Sequence, residues 1–262
     1  MTGSFTGKFS GLDRLYGDGS IEQLARSKVM VIGIGGVGSW SAEALARSGV
    51  GTIILVDLDD ICESNTNRQI HTLVESIGQP KTKVMGQRLK AINPESQVEV
   101  VDDFYTKNTP DDILSLKPDM IIDAIDSLHS KAYLLSQCRL RHQPIITVGG
   151  AGGRRDPTQI EVSDLSQTIA DPLLRNLRKN LRQVYDFPRT GDFGVTAVYS
   201  RERMFYASED GSVSQDPYRQ KRGSMDCQTG LGTASFVTGT YGFTASQLAV
   251  ESILKRRDSL CT

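Results

Sequence analysis

Short apolar runs alternate with longer amphipathic segments through the first 150 residues of the chain. Each run has four or five residues, which is too short for a buried helix and typical of a strand covered on both faces of a parallel sheet. The predicted strands are Val29–Ile32, Thr52–Val56, Val98–Val101, Met120–Asp123 and Ile145–Val148. Helical segments lie between them, so the pattern predicts an α/β protein with a Rossmann-like, doubly wound, mostly parallel sheet.

Glycine and proline mark the ends of the predicted helices. The helix Ser39–Ser48 ends at Gly49, a residue that suits a C-terminal cap. Pro80 begins the next helix, where its missing N–H costs nothing, and this helix stops before Asn93-Pro94. Further helices are predicted for Ile21–Ser27 and Lys131–Arg141.

The alternation of strand and helix breaks down after residue 150. The segment Gly149-Gly150-Ala151-Gly152-Gly153 predicts a turn at the carboxyl end of a strand, where open α/β sheets bind ligands. The later elements are predicted as a charged helix at Pro172–Val184, antiparallel strands at Val195–Arg201 and Arg203–Ala207, and a closing helix at Gly239–Lys255.

A glycine-rich turn joins the strand Val29–Ile32 to the helix that follows it. The turn carries Gly33, Gly35, Gly36 and Gly38, and the carboxylate Asp57 ends the next strand 19 residues after Gly38. Glycines let the backbone approach a phosphate at a helix N-terminus, and an acid at this spacing binds ribose hydroxyls. The motif predicts a nucleotide site, against the alternative of a tight turn with a purely structural role.

Polar residues beyond Asp57 argue against NAD, the nucleotide that such a turn binds by default. Asp59 and Asp60 add negative charge that suits a magnesium-bound nucleotide. The segment Asn65-Thr66-Asn67-Arg68-Gln69 then supplies a guanidinium and side-chain amides close to the phosphates. Hydride transfer needs no such clamp, whereas phosphoryl or nucleotidyl transfer depends on positioning and charge neutralisation.

These features predict that residues 1–262 form one domain. The length allows one large domain or one domain with an appended lobe. The predicted parts are an N-terminal arm and helix at 1–28, a nucleotide-binding core at 29–150, and a substrate-binding extension at 151–262 that contains the antiparallel strands and the closing helix.

Charge is distributed unevenly along the chain, although the net charge is only −1. Residues 1–138 hold 13 Lys and Arg against 18 Asp and Glu, whereas residues 139–262 hold 17 against 13. The predicted charged helix of the basic half carries Arg175, Arg178, Lys179 and Arg182. Such a cluster can bind nucleic-acid phosphates, and the alternative is a solvated helix face.

The four cysteines, Cys62, Cys138, Cys227 and Cys261, are far apart and form no C-x-x-C pair. This spacing argues against a disulfide framework and against a zinc site, and it favours a reducing cytoplasm. Acidic neighbours are expected to raise the pKa of the Cys62 thiol and to make it unreactive. Met1 to Phe9 contain no apolar core, so no signal peptide is expected there. Polar residues throughout Gly230–Leu254 predict a buried helix rather than a membrane span.

A series of motifs extends along the first part of the chain. In order, they are Gly33–Gly38, Asp57-Leu58-Asp59, Asn65–Gln69, Gly78-Gln79-Pro80-Lys81, Ile92-Asn93-Pro94 and Asp123-Ala124-Ile125-Asp126. This series resembles the adenylation domain of the ubiquitin-activating (E1-like, ThiF-type) superfamily over residues 10–150. The resemblance implies an enzyme that uses ATP with Mg²⁺. The members of this superfamily include bacterial enzymes that adenylate sulfur-carrier proteins.

Further matches narrow the resemblance to one branch of that superfamily. Arg14-Leu15-Tyr16-Gly17, Thr147–Gly153 with Asp156-Pro157-Thr158, and Met225-Asp226-Cys227 resemble the family of tRNA threonylcarbamoyladenosine dehydratases. The resemblance implies that ATP activates the carboxylate of a threonylcarbamoyl group on an anticodon-loop adenosine, which then closes into a cyclic, hydantoin-type base. The zinc-binding cysteine pairs of the sulfur-carrier enzymes are missing, which favours this branch. Adenylation of the C-terminus of a ubiquitin-like sulfur carrier is the alternative.

The resemblance also implies roles for single residues. Arg68 and Lys81 would contact the ATP phosphates; a surface ion pair is the alternative for Arg68, and Lys83 is the alternative cation. Asp126 would be the acid associated with Mg²⁺, or would instead cap the following helix. The expected nucleotide-binding residues are Gly33, Gly35, Gly36, Gly38, Asp57, Asp59, Asn65, Arg68, Gln69, Lys81 and Asp126.

The resemblance also implies binding partners and a dimer. Arg14 resembles an arginine that relatives donate across a homodimer to the partner's ATP, with a surface charge as the alternative. Cys227 would carry a covalent intermediate as a thiolate or would pack beside the substrate. A tRNA that carries threonylcarbamoyladenosine is the implied substrate. A cysteine desulfurase or sulfur-acceptor system and a monovalent cation near the ATP are left open.

Overall fold

The computed structural model describes residues 5–107, 113–208, 210–216 and 231–258. One sheet of the described residues consists of β1 (Lys28–Ile32), β2 (Thr52–Val56), β3 (Gln97–Val101), β4 (Met120–Asp123), β5 (Ile145–Val148), β6 (Ile160–Asp164) and β7 (Thr196–Ser200). These strands lie in the order β3-β2-β1-β4-β5-β7-β6, and only the edge strand β6 runs antiparallel to its neighbour among them. The predicted Rossmann-like, doubly wound sheet is confirmed.

The direction of winding reverses between β1 and β4. The chain first runs outward through β2 and β3, and then returns to place β4 on the other side of β1. The register pairs Ile32 at the end of β1 with Val56 at the end of β2 and with Asp123 at the end of β4. The crevice outside these carboxyl ends is therefore the topological switch point, where open α/β sheets bind their ligands.

Helices cover both faces of the sheet. They are α1 (Phe5–Tyr16), α2 (Ser20–Arg26), α3 (Gly38–Arg47), α4 (Lys81–Ile92), α5 (Leu128–Leu140), α6 (Pro172–Val184) and α7 (Ser235–Asp258). Short 3₁₀ turns lie at Glu63–Asn65, Val74–Ser76, Pro157–Gln159 and Leu165–Gln167. The predicted helices agree with these bounds to within a few residues, and α1 is an additional helix in the predicted arm.

Alternate residues of a strand belong to two different hydrophobic cores, one on each face of the sheet. In β1, Val29 and Val31 belong to the core that α3, α4 and α7 cover, whereas Met30 and Ile32 belong to the core that α5 and α6 cover. Tyr241 of α7 is fully buried in the first core. Side chains alternate between the two faces of a strand, so a continuous apolar run serves both layers at once.

The antiparallel part differs from the prediction in its partners. β7 lies parallel to β5 and pairs antiparallel with β6, a strand that the sequence pattern did not predict. Of the predicted strand Arg203–Ala207, only β8 (Tyr206–Ala207) is extended in a sheet, and it pairs with β9 (Val213–Ser214). β6 reads Ile-Glu-Val-Ser-Asp and is half-buried at the sheet edge, so its apolar signal is weak.

The closing helix α7 is longer than predicted, with 24 residues. No helix among the described residues is long and apolar enough to cross a membrane.

Candidate nucleotide and substrate site

Two glycines of the turn after β1 are required by close backbone contacts. Gly33 has φ 89°, and a Cβ on it would lie 2.8 Å from the carbonyl oxygen of Ala124 in the loop after β4. A Cβ on Gly38 would lie 1.8 Å from the carbonyl oxygen of Gly33. A side chain at Gly33 would therefore force the turn away from the β4 loop, and a side chain at Gly38 would open the turn itself.

Asp57 supports this turn from the end of β2. Its carboxylate accepts the main-chain N–H of Ile34 at 2.6 Å and that of Asp59 at 2.9 Å. Burial raises the pKa of Asp57 from its ordinary value, and the nearby Lys81 opposes that rise. A carboxylate oxygen can accept more than one hydrogen bond, so Asp57 can hold the turn and also bind ribose hydroxyls.

The predicted phosphate cation Lys81 is held in an ion pair. Lys81 is the first residue of α4 and is buried, and its Nζ lies 2.7 Å from a carboxylate oxygen of Asp59. Lys83, the alternative cation, is exposed. A bound phosphate would compete with Asp59 for Lys81, so these two predicted site residues act as one unit.

Arg68 lies above the glycine turn. Its Nη1 donates to the carbonyl of Ser64 at 2.7 Å and to Oδ1 of Asn67 at 3.0 Å. A Cβ on Gly36 would lie 3.4 Å from Cγ of Arg68, so the stem of this side chain covers the turn. The main-chain oxygen of Arg68 accepts the indole N–H of Trp40 in α3 at 3.0 Å. Arg68 is thus fixed beside the helix N-terminus that would receive a phosphate.

The neighbouring amides have different environments. Asn65 is buried, and its Oδ1 accepts the main-chain N–H of Cys62, which gives it a structural role in the loop. Gln69 is also buried, and a Cβ on Gly35 would lie 3.9 Å from its Nε2. Within the described part of the chain, Oε1 of Gln69 has no hydrogen-bond partner. Gln69 therefore has an unused hydrogen-bond acceptor beside the turn.

Asp126 lies on the loop after β4, opposite the glycine turn, and its side chain is exposed. Ser127 occupies the N-cap position of the following helix α5, so Asp126 precedes that position and the capping alternative does not hold. Among the described residues, no three His, Cys, Asp or Glu side chains group into a metal site. A single carboxylate together with nucleotide phosphates is a set of ligands that suits Mg²⁺.

A buried ion pair beneath this loop was missed from the sequence. Lys131 of α5 lies 2.8 Å from the Asp123 carboxylate, and both side chains are fully buried. Lys131 also donates to the main-chain oxygen of Ile125 at 2.9 Å, and Thr147 Oγ1 donates to Asp123 at 2.7 Å. The pair fixes the loop that carries Asp126. A lysine in a helix predicts a solvated side chain, so the pattern carries no signal of the pair.

The glycine turn after β5 is joined to the basic helix α6. Asp171 caps α6 by accepting the N–H of Leu174 at 2.9 Å, and its other oxygen accepts the N–H of Gly150 at 2.9 Å. A Cβ on Gly149 would lie 2.3 Å from this carboxylate. Asp171 is buried, and that burial raises its pKa. The N-terminus of α6 is therefore fixed at the carboxyl edge of the sheet, two strands from β1.

The predicted nucleic-acid cluster lies together on α6. Arg175, Arg178, Lys179 and Arg182 line a groove of about 410 Å³ with Arg189. Arg178 donates to Oγ1 of Thr168, while Arg182 donates to the carbonyl of Pro188 at 3.1 Å and lies 4.9 Å from the centre of the Phe193 ring. Burial, followed by the charge of Arg182, lowers the pKa of Arg178. Arg175, Lys179 and Arg189 are exposed.

Arg14 lies far from the nucleotide turn of its own chain. Its helix α1 is tied to α2, because Asp13 accepts the N–H of Ile21 at 3.1 Å. α2 in turn is tied to α7 through Gln23 and the carbonyl of Ile253, at 2.6 Å. Thr238, at the other end of α7, contacts Arg68 beside the glycine turn. The rise of fifteen residues of helix separates these ends by about 22 Å. Arg14 is exposed.

The cysteines contribute little to the described site. Cys227 lies outside the described residues. Burial raises the pKa of Cys138 to about 12, which makes it inert. For Cys62 the expected direction was wrong, because a hydrogen bond from the Ser64 hydroxyl lowers the pKa of this exposed thiol. The local hydrogen bond outweighs the acidic neighbours.

His71, next to the phosphate segment, is a buried residue. Neither of its ring nitrogens has a hydrogen-bond partner among the residues that the structure describes. Burial, together with the charges of Lys81 and Arg88, lowers the pKa of His71 to about 4. The imidazole is therefore neutral at neutral pH.

The sheet, the glycine turn, the acid after β2 and the basic residues beside the turn together define a nucleotide-binding α/β protein. The model of the ThiF family matches residues 11–260. The chain is 44% identical to the tRNA threonylcarbamoyladenosine dehydratase of Escherichia coli (strain K12), over 95% of this chain and 94% of that protein. It is 38% identical to the Bacillus subtilis (strain 168) protein of the same name, over 83% of this chain and 85% of that one. The chain belongs to the ThiF family and, within it, to the tRNA threonylcarbamoyladenosine dehydratases.

Solved structures agree with this assignment. A structure of TcdA (CsdL) has a TM-score of 0.89 at 43% identity and covers 97% of this chain and 96% of its own. The E. coli dehydratase in complex with ATP has a TM-score of 0.86 at 42% identity, with the same coverage. The sulfur carrier protein ThiS adenylyltransferase of E. coli is 35% identical over only 54% of this chain and 55% of its own length. The similarity to sulfur-carrier enzymes is therefore the more distant one.

Proposed function

We propose that this chain uses ATP to adenylate the carboxylate of the threonylcarbamoyl group on a tRNA adenosine, which then cyclises with loss of water. The observation that supports the proposal is the convergence of Gly33, Asp57, Arg68 and Lys81 at the switch point, beside the loop that carries Asp126, in a chain that belongs to the dehydratase family. The alternative, adenylation of a sulfur carrier, has no specific feature of the described residues in its favour.

The first step makes a leaving group. A free carboxylate is a poor acyl donor, so one of its oxygens attacks the α-phosphorus of ATP and pyrophosphate departs. The product is a mixed acyl-phosphate anhydride with AMP. The second step closes the ring: a nitrogen of the same carbamoyl group attacks the activated carbonyl, loses its proton, and AMP leaves. The ring closure is intramolecular, so it gains the advantage of enforced proximity.

The protein's part in these steps is positioning and charge. Asp57 holds the ribose hydroxyls while it braces the turn through Ile34. The N-terminus of α3 faces the phosphates, and Arg68 and Lys81 neutralise the charge that moves onto pyrophosphate. Lys81 leaves Asp59 in part when the phosphates arrive, because both acceptors compete for one ammonium.

Asp126 is the proposed ligand for Mg²⁺ carried by the nucleotide. Its exposed carboxylate, which belongs to no group of three possible metal ligands among the described residues, fits an ion that keeps phosphate oxygens and waters as its other ligands. When bound, Mg²⁺ supplies charge neutralisation on the phosphates. No zinc is proposed.

The tRNA is proposed to lie along α6 and to reach the nucleotide at the Gly149–Gly153 turn. Arg175 and Lys179 would contact phosphates, whereas Arg178 and Arg182 hold the shape of the groove through Thr168 and Pro188. Asp171 connects α6 to the turn, so the phosphate-binding face keeps a fixed distance from the reacting carboxylate. The reaction is proposed to take place in the cytoplasm.

The active unit is proposed to be a homodimer in which Arg14 reaches the partner's ATP. The chain of contacts through α1, α2 and α7 places Arg14 far from its own turn, so a contact with its own nucleotide would need the arm to move. A two-fold axis would supply the same arginine from the partner.

The decisive experiment is nucleoside mass analysis of tRNA before and after incubation with the protein and ATP. The proposal expects loss of one water from threonylcarbamoyladenosine, together with one AMP and one pyrophosphate per cyclised nucleoside. A parallel incubation with a ubiquitin-like sulfur carrier in place of tRNA tests the alternative. AMP formed only with the carrier protein, or an unchanged nucleoside mass, would exclude the proposed reaction.

A further inference from the structure

A stacked pair of side chains lies beside the turn after β5, outside the residues used so far. The guanidinium carbon of Arg155 lies 4.0 Å from the centre of the Phe205 ring. Phe205 is partly buried and Arg155 is exposed. The guanidinium therefore lies over the ring, and Arg155 still presents surface to solvent.

The main chain on both sides of this pair is fixed. The N–H of Phe205 donates to the carbonyl of Gly153 at 2.8 Å, and the N–H of Arg155 donates to Glu202 at 2.9 Å. Glu202 is buried, and its carboxylate also accepts the N–H of Asp156 at 3.1 Å. The stacked pair is thus organised before any ligand arrives, which reduces the entropy lost on binding.

The pair lies at the same edge of the sheet as the nucleotide turn. Arg155 follows the carboxyl end of β5, and Phe205 follows that of β7, which runs parallel to β5. β5 and β7 are two and three strands from β1 in the sheet, so the pair lies about 10–15 Å from the glycine turn at the usual strand spacing. A substrate whose carboxylate meets ATP at the glycine turn would extend its next groups across this pair.

Unpaired RNA bases are recognised by stacking on aromatic rings and on guanidinium planes, and a guanidinium also attracts the adjacent phosphates. We propose that Arg155 and Phe205 form a stacking platform for an unpaired base of the tRNA loop that carries the reacting adenosine. This inference rests on the proposed function and adds a binding site to it. Arg155 provides the plane on which the base stacks, and Phe205 holds that plane in place.

The test measures the KM for tRNA and the Kd of the anticodon stem–loop RNA with Arg155→Gln, Arg155→Lys and Phe205→Leu. Loss of one stacked base weakens binding by roughly tenfold or more. We expect each variant to raise both quantities by about that factor, with ATP affinity unchanged. Arg155→Lys is the informative change, because lysine keeps the charge and loses the plane. Arg201→Gln is the matched control, since this exposed arginine pairs with Glu161 at 3.1 Å.

A double variant, Arg155→Gln with Phe205→Leu, separates one platform from two independent contacts. If the two side chains form one platform, either substitution alone already removes it. The double variant should then bind tRNA about as weakly as either single variant. Normal KM and Kd values for Arg155→Lys, or two defects that multiply, would overturn the proposal. A normal thermal midpoint and normal ATP binding of Phe205→Leu show that this substitution leaves the fold intact. Stem–loop binding does not depend on turnover, so a wild-type protein that cyclises no nucleoside refutes the proposed reaction separately.

Discussion

The ammonium of Lys131 and the carboxylate of Asp123 lie 2.8 Å apart, with neither side chain exposed to solvent. Lys131 also reaches the carbonyl of Ile125, while Thr147 on the neighbouring strand donates to Asp123. The pair thereby fastens α5, β4 and β5 to the loop that carries Asp126. Breaking it should affect both the stability of the fold and the position of that loop.

Replacing Lys131 by methionine should lower the free energy of unfolding by about 3–5 kcal/mol, because the buried carboxylate of Asp123 loses its partner. Urea denaturation measures the change. The control is Lys255→Met, which removes an exposed pair with Glu251 and should cost less than about 1 kcal/mol. Equal effects of the two substitutions would show that the buried pair does not hold this region together.

Asp126→Ala should lower turnover far more than it lowers ATP affinity. The expected loss in kcat is about 10²–10³, the size seen when one charge-stabilising group of a reaction centre is removed. Steady-state kinetics and calorimetric titration with ATP measure the two quantities. Asp57→Ala should mainly weaken ATP binding, and it also leaves the N–H groups of Ile34 and Asp59 without their acceptor. Unchanged turnover of Asp126→Ala would remove Asp126 from the site.

Charge reversal of Arg175 and Lys179 should raise the KM for tRNA and leave ATP affinity constant. The slope of log affinity against log salt should flatten by about 0.7–0.9 for each tRNA phosphate that the variant no longer neutralises. The matched control reverses Lys117 and Lys255, which are exposed elsewhere on the surface and produce the same change in net charge. An unaltered salt slope for the α6 variant would make the cluster a solvated face only.

Acid should destabilise the fold through His71. Burial lowers the pKa of His71 to about 4 in the folded chain, whereas the ordinary value of 6.5 applies when it is unfolded. The unfolded state therefore binds the proton first as pH falls. The stability from a neutral His71 is present above pH 6.5 and is lost progressively as pH falls toward 4.

Between pH 7 and pH 5 this effect should remove about 2 kcal/mol from the free energy of unfolding. Chemical denaturation at the two pH values measures it. His71→Phe should reduce the difference by that amount, while His129→Phe, at an exposed position, should not. A pH dependence that persists in full in His71→Phe would assign it to other groups.

Mixing two inactive variants tests whether Arg14 acts in trans. Arg14→Ala and Asp126→Ala should each be nearly inactive alone. In a mixed dimer, one site keeps its own Asp126 and receives Arg14 from the other chain. Random exchange of two-fold subunits should then restore roughly a quarter of wild-type activity. If mass measurements show mixed dimers and no activity returns, Arg14 does not act on the partner's nucleotide.

The central part of the fold follows from the sequence because its signals are local. The buried parallel strands β1 and β2 are continuous apolar runs, and Gly49 and Pro80 mark helix ends where the structure has them. The helix α1 escaped prediction because its two internal glycines, Gly7 and Gly11, are poor helix formers, and Phe9 packs it against the rest of the chain. Tertiary packing decides such an element, and a single sequence does not display it.

The site residues likewise divide into those that local sequence signals predict and those that depend on long-range contacts. Motif spacing predicted the glycine turn and the place of Asp57 beside it, because both depend on local backbone geometry. The ion pair of Lys81 with Asp59 joins residues 22 positions apart, and the stack of Arg155 on Phe205 joins residues 50 apart. Such pairings exist only once the strands are ordered in the sheet, so sequence patterns carry no trace of them.

The position of α7 has a consequence for how the chain is made. Tyr241, Ala245 and Ala249 of this helix complete the core that lies over β1 and β2. A ribosome releases the glycine turn and its strands long before it synthesises α7, so the nascent chain exposes one apolar wall of the sheet in the meantime. Folding of the nucleotide-binding part must then wait for α7, and a chain cut before residue 235 would expose the surface on which aggregation begins.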